Sequence, residues 1–177
     1  MLNKRIIRLL IIGIAGVLMI VLLISLLLPG HVMTSKWVIV ATGKEKALNS
    51  IRDLNRWKEW NGLLIEANQL QVIQKPVITD TGSLLFWKDQ RDQNNEIRVT
   101  VNNDTGLVAN LRIGSQRPMT SGFSVEKRQR DSVQVVWYII EDLKWYPWEK
   151  FYGMMAQEMK GPLMQESLDR LKQQLQQ

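Results

Sequence analysis

Residues 145–175, WYPWEKFYGMMAQEMKGPLMQESLDRLKQQL, form the longest amphipathic helical pattern in the chain. Their apolar positions recur at steps of three to five: Trp148, Phe151, Tyr152, Met155, Met159, Leu163 or Met164, Leu168, Leu171 and Leu175. This spacing predicts one long helix that lays a single apolar stripe against a core. Pro147 fits the first helical position, where its missing N–H group needs no partner. Gly161-Pro162 predicts a kink or a restart, because proline cannot donate a backbone hydrogen bond.

Strand-like segments precede this helix and are separated by short runs of turn residues. Six of them lie at residues 70–79, 83–88, 96–101, 107–113, 120–127 and 133–143. Several alternate apolar and polar residues, which is typical of an antiparallel sheet with one buried face. An earlier strand at 31–41 and two short helices, at 44–54 and 55–62, come first. The order is therefore strand, two helices, six strands and a long helix, and only the last helix is long enough to cover the sheet.

An apolar segment near the N-terminus predicts a membrane anchor. Residues 9–28 are 20 consecutive uncharged residues, and as a helix they would span about 30 Å, the thickness of a hydrocarbon core. Lys4, Arg5 and Arg8 precede this run, which places the N-terminus in the cytoplasm. A cleaved signal peptide is the alternative, but the run is long and no small-residue cleavage pattern follows it. We therefore expect residues 1–30 to be an uncleaved anchor in the cytoplasmic (inner) membrane and residues 31–177 to be one extracytoplasmic domain.

Composition excludes several classes of function. The chain has no cysteine, which removes disulfides, thiol catalysis and cysteine-ligated metals. Of its net charge of +6, three cations precede residue 9, so the domain carries 20 cations against 17 acids. This near balance, in an extracytoplasmic domain, argues against nucleic acid as a partner. The single histidine, His31, directly follows the membrane segment and is interpreted as a solvated residue. We expect no metal and no cofactor.

Carboxylates are the remaining candidates for acid–base chemistry. Glu141 and Asp142 end the last predicted strand, and neighbouring strand residues point to opposite faces, so at most one of them faces inward. Glu149 and Glu158 lie on the long helix and are interpreted as part of a solvated face. These residues do not form a recognisable catalytic set, so no catalytic residue is assigned.

Three stretches carry a resemblance to a known family: Leu28-Pro29 after the apolar run, residues 53–60 (DLNRWKEW) and residues 147–153 (PWEKFYG). With the order of elements, they resemble the SRPBCC superfamily, which includes START lipid-transfer domains and the polyketide cyclase/dehydrase group. The chain is most similar to bacterial members with one N-terminal membrane anchor. The resemblance implies an α+β helix-grip fold, in which a seven-stranded antiparallel sheet wraps a long C-terminal helix. It also implies that Trp57 and Trp60 border the mouth of a cavity.

Aromatic residues are abundant, with seven tryptophans in the chain. Core packing is the first interpretation of Trp57 and Trp137, because large aromatic side chains dominate the cores of small domains. Residues 145–152 contain five aromatics, more than one helical turn can bury, so this cluster either lines a pocket entrance or dips into the bilayer interface. The candidate pocket residues combine these aromatics with adaptable methionines. They are Trp57, Trp60, Trp87, Trp137, Trp148, Phe151, Tyr152, Met155 and Met159.

These observations favour a membrane-tethered module that binds an apolar or amphipathic, lipid-like small molecule between the sheet and the last helix. The expected partners are the lipid bilayer, through residues 9–28, and this hydrophobic ligand. One alternative is an enzyme of the cyclase or dehydratase type, which can act with a single positioned acid or base. The other is a non-catalytic structural or interaction protein of the cell envelope.

Overall fold

The computed structural model describes residues 4–65, 69–74, 82–129 and 131–176. The helices are α1 (Lys4–Leu27), α2 (Lys44–Arg52), α3 (Trp57–Trp60) and α4 (Pro147–Gln176), with a 3₁₀ turn at Leu54–Arg56. The strands are β1 (His31–Val40), β2 (Gln69–Gln74), β3 (Ser83–Lys88), β4 (Asn94–Asn103), β5 (Gly106–Ile113), β6 (Met119–Gln129) and β7 (Ser132–Asp142).

The predicted α+β helix-grip architecture is confirmed. The seven strands form one sheet in the order β1-β7-β6-β5-β4-β3-β2, and the pairs from β2 to β7 are antiparallel. Strand β3 has the predicted bounds, whereas β4 extends two residues beyond the prediction at each end. Residues 75–79 of the predicted second strand lie outside the described residues.

The alternating strand pattern sets the inner face of the sheet. Val133, Val135, Trp137 and Ile139 are all buried on β7, as their period of two predicts for one face of a strand. Trp137 lies opposite Phe123 of β6 in the strand register. Large aliphatic side chains from the other strands and from α2 and α4 complete this core.

The predicted single apolar stripe of α4 is wrong in its first half. Trp148, Met155 and Met159 are 69%, 60% and 60% exposed, whereas Met164 and the leucines after it are buried. The physical reason is the step of five residues from Met159 to Met164. At about 100° per residue, Met164 points about 140° away from Met159 around the helix axis. The exposed stripe ends at Leu163, four residues after Met159. The buried stripe begins at Pro147, so the helix carries two stripes on opposite sides.

Pro162 does not interrupt α4, because the helix continues through it from Pro147 to Gln176. Of the predicted kink or restart, the restart is therefore wrong, and the kink stays a prediction. Pro162 and Glu158 are both exposed. The carbonyl of Glu158, which loses its helical donor, can consequently bond to water, and that reduces the cost of an internal proline.

The chain folds as two compact units. The anchor unit consists of Met1–Val32 and Asp142–Ala156, and the grip unit consists of Met33–Glu141 and Gln157–Gln177. The anchor unit holds α1 and the first part of α4. Within the described ranges, α1 is the one helix long and apolar enough to cross a membrane by length and composition. The grip unit holds the core of the sheet and the second part of α4.

Candidate functional site

An aromatic cluster occupies the centre of the grip unit. Phe123 lies within 5.2–5.7 Å, between ring centroids, of Trp57, Trp60 and Trp137. The indole N–H of Trp57 donates to the carbonyl of Ile51 at 2.7 Å, and that of Trp137 donates to Ser121 Oγ at 2.9 Å. These interactions place three of the predicted pocket residues in the packed core of the unit.

Two donors at the edge of this cluster have no partner within the described residues. They are the indole Nε1 of Trp60 and the amide Nδ2 of Asn61, and both side chains are fully buried. A buried donor without an acceptor costs about 1–3 kcal/mol. Each of these donors therefore carries a desolvation cost that no described residue compensates.

A polar cluster lies where α4 crosses the inner face of the sheet. We define it as the ion pair of Glu141 (β7) and Lys160 (α4) together with Lys36 of β1, which lies against Gly161, the residue after Lys160. Lys160 Nζ lies 2.5 Å from Glu141 Oε2 and 3.8 Å from Met119 Sδ of β6. A β-carbon added to Gly161 would lie 2.8 Å from Cε of Lys36 and 3.3 Å from its Nζ. The glycine thus allows the Lys36 side chain to lie directly against the helix backbone.

The charges of the polar cluster are unbalanced. It holds two ammonium groups and one carboxylate, and the side chains of Lys160 and Glu141 are only 23% and 14% exposed. Lys36 is half-buried and has no ion-pair partner among the residues described. Thr34 lies two positions earlier on the same face of β1 and is fully buried. Its hydroxyl has no hydrogen-bond partner within the described residues. An ammonium and a hydroxyl so placed are suited to a carboxylate or phosphate oxygen.

The nine predicted pocket residues do not come together in one place. Trp57, Trp60 and Trp137 belong to the aromatic cluster. Trp87 is buried on β3, where it borders a surface pocket of about 420 Å³ between β2, β3 and β4. The remaining five lie on α4, with Tyr152 half-buried and the others exposed: Trp148, Phe151, Met155 and Met159. Contact of any of the nine with a ligand stays a prediction.

Three residues of this region, Lys36, Lys160 and Thr34, were not predicted from the sequence. One local signal was present, because Thr34 and Lys36 share a strand face with the buried Val38 and Val40, and a lysine on such a face is unusual. The expectation that at most one carboxylate at the end of the last strand faces inward is confirmed. Glu141 is the inward one, while the neighbouring Asp142 is exposed.

Comparison with known proteins shows the fold. No family model and no curated protein matches the chain. Among solved structures, a START superfamily protein from Mycobacterium smegmatis has a TM-score of 0.61 at 19% identity, covering 83% of this chain and 98% of its own. The Zhui aromatase/cyclase from Streptomyces sp. R1128 has a TM-score of 0.62 at 8% identity, covering 82% and 94%.

A third similar structure is norcoclaurine synthase from Thalictrum flavum in complex with dopamine and hydroxybenzaldehyde. Its TM-score is 0.59 at 12% identity, covering 86% of this chain and 91% of the synthase. The chain therefore shares the helix-grip fold of these solved structures. Because the sequence identities are low, the similarity establishes the fold only. The ligand and the activity have to be inferred from the residues of the site.

Proposed function

We propose that the chain is a membrane-tethered helix-grip module that binds an amphipathic molecule with an apolar body and an anionic group. Residues 1–30 are the tether, and residues 31–177 form the binding domain on the extracytoplasmic side of the cytoplasmic membrane. The ligand lies between the sheet and α4, with its anionic group at Lys36 and Lys160. Neither a metal nor a cofactor takes part in this function.

The polar cluster is the observation that carries the proposal. Taking an ammonium group out of water is costly unless an anion or hydrogen bonds compensate it. Glu141 compensates one of the two lysines, and its carboxylate already lies 2.5 Å from Lys160. A second anion, brought by a ligand, would compensate Lys36 and accept a hydrogen bond from Thr34.

The surroundings of the cluster suit an apolar body. Met119 contacts Lys160 directly, and Ile139 and Trp137 continue the face of β7 on which Glu141 lies. Burying about 200 Å² of apolar ligand surface would contribute about 5 kcal/mol. A few polar groups that orient an otherwise apolar ligand are the usual composition of a small-molecule site. The bound synthase described above supports the proposal, because it has the same fold and holds small molecules.

Native mass spectrometry of the intact chain, released from mild detergent, tests this function. We expect a bound amphipathic anion in the wild-type protein and less of it in Lys36→Gln, which keeps a similar shape without the charge. Lys127→Gln is the matched control, since Lys127 is exposed on β6, and it should retain the wild-type amount. The proposal fails if no small molecule is retained, or if both variants retain the same amount.

A second candidate is catalysis of the cyclase or dehydratase type, favoured by the pairing of Glu141 with Lys160. A carboxylate and an ammonium in contact can accept and return a proton at a bound substrate. In the same mass spectra, a dehydratase would yield a wild-type ligand lighter by one water than the ligand of Glu141→Gln. Equal masses in the two proteins exclude dehydration. A cyclisation conserves mass, so it is excluded only if the two ligands also give the same fragmentation pattern.

A further inference from the structure

The anchor unit exposes a patch of large apolar side chains on the first part of α4. They are Trp145, Trp148, Phe151, Met154 and Met155, and all five are exposed, with Trp145 at 66% and Trp148 at 69%. Single exposed apolar residues are common, whereas a contiguous patch indicates a surface that something covers. We call this set the aromatic patch.

Three hydrogen bonds join the segment that carries the aromatic patch to the end of α1. Ser25 Oγ donates to the carbonyl of Trp145 at 2.7 Å, and the backbone N–H of Leu143 donates to the carbonyl of Gly30 at 2.8 Å. Lys150 Nζ donates to the carbonyl of Pro29 at 2.7 Å. Two of these bonds come from the connection between β7 and α4, and the third comes from the first turn of α4. They hold the aromatic patch at the level of residues 25–30 along the axis of α1.

That height coincides with the end of the apolar part of α1. Ser25 lies three residues before residue 28, the last residue of the uncharged run. At about 1.5 Å per residue, Ser25 is about 4.5 Å inside the end of the run. The carbonyl of Trp145, which bonds to Ser25, therefore lies near the boundary of the hydrocarbon core. Tryptophan and tyrosine side chains are enriched at this level of a membrane.

We propose that the aromatic patch lies in the lipid–water interface of the membrane that α1 crosses. The anchor unit then contacts the bilayer through two elements, the membrane-spanning helix α1 and the start of α4. This inference rests on the membrane tether proposed above. Lipid is the occupant that the structure favours, because the patch is continuous with a lipid-facing helix through three hydrogen bonds. Lys144, exposed beside Tyr146 at 5.4 Å from the ring centroid, supplies a cation for lipid phosphates.

Spin labelling tests the inference directly, since the chain has no native cysteine. Nitroxide labels are placed on Trp148→Cys and Phe151→Cys of the intact chain, in vesicles of phosphatidylcholine and phosphatidylglycerol. Collision with oxygen, which concentrates in lipid, is compared with collision with a water-soluble nickel chelate. Leu18→Cys, in the middle of α1, is the reference for the bilayer, and Asp104→Cys, on the exposed β4–β5 turn, is the reference for water.

We expect the labels at 148 and 151 to collide with oxygen several-fold more, relative to the nickel chelate, than the label at 104. If they behave like the label at 104 while the label at 18 is in lipid, the inference is wrong and the tether stands. If the label at 18 is also in water, the tether itself is wrong and the inference falls with it. Labels at 148 and 151 that collide with neither reagent would show a protein partner on the patch, which also overturns the inference.

Discussion

Gly161→Ala changes the polar cluster without removing a charge. In the native chain Lys36 lies against Gly161, and the methyl group of alanine would come within 2.8 Å of its Cε. Favourable carbon–carbon contacts lie at about 3.5–4.0 Å, so the end of Lys36 must move by about 0.7 Å or more. The flexible lysine moves rather than the helix backbone, and its ammonium group therefore leaves its position in the cluster.

The expected magnitudes separate stability from binding. Alanine is favoured over glycine inside a helix by about 1 kcal/mol, while a strained lysine rotamer costs about 0.5–1.5 kcal/mol. The two nearly cancel, so the melting temperature should change by less than about 4 °C. Loss of a hydrogen bond from Lys36 to a bound anion costs about 1.5–3 kcal/mol. The affinity for an anionic ligand should therefore fall by about tenfold or more.

The assay is a titration of a fluorescent fatty acid into the intact chain in nanodiscs, with empty nanodiscs as background. The matching fatty alcohol serves as the neutral probe, and it should bind wild type and Gly161→Ala equally. Gly43→Ala is the control substitution, because nothing lies within 4 Å of a β-carbon at Gly43. In a Lys36→Gln background, Gly161→Ala should have no further effect. Unchanged fatty-acid affinity in Gly161→Ala, with the fold intact, would refute a role for Lys36 in binding.

Two further substitutions test how the grip unit is held together, with thermal unfolding in micelles followed by circular dichroism. Ser167→Ala leaves the N–H of Gly62 without its acceptor at 2.9 Å and should destabilise by about 1–3 kcal/mol. Ser50→Ala is the control, because Ser50 is buried and its side chain has no hydrogen-bond partner within the described residues. It should leave the unfolding midpoint nearly unchanged. Equal midpoints for Ser167→Ala and Ser50→Ala would contradict this account. Gly106→Ala would overlap the backbone carbonyl of Phe123 and should cost about 3 kcal/mol or more, whereas an unchanged midpoint would contradict the close β5–β6 approach.

The order and type of the elements followed from the sequence because they depend on local patterns. Alternation on β7 and the turn residues between strands predicted the sheet, and an uncharged run predicted α1. The error in α4 has a specific cause. Spacing identifies residues that share a helix face, but it does not say which face is buried. The step from Met159 to either Leu163 or Met164 left two continuations open, and the first stays on the exposed stripe while the second crosses to the buried one.

The polar cluster could not be predicted from the sequence, for a different reason. Its three charged residues come from β1, β7 and α4. Glu141 reaches Lys160, and Lys36 reaches Gly161, only because these elements pack together. The strand period could show that one carboxylate at the end of β7 faces inward, but not that Lys160 lies 2.5 Å from it. Gly161 gave no sign of its role either. A glycine inside a helix is a weak signal until the side chain that lies against it is known.

The two stripes of α4 bear on the two proposals separately. In the first part of the helix the small residues Gly153 and Ala156 are buried, while Trp148 and Met155 are exposed. Such a segment gains little apolar burial from the fold of the chain itself. Its exposed side chains gain free energy only if a second apolar medium covers them, and the bilayer that we propose α1 crosses is such a medium. The proposed ligand site uses other residues, Lys36 and its neighbours, so a mutation of the patch should release the segment from lipid and leave ligand affinity unchanged.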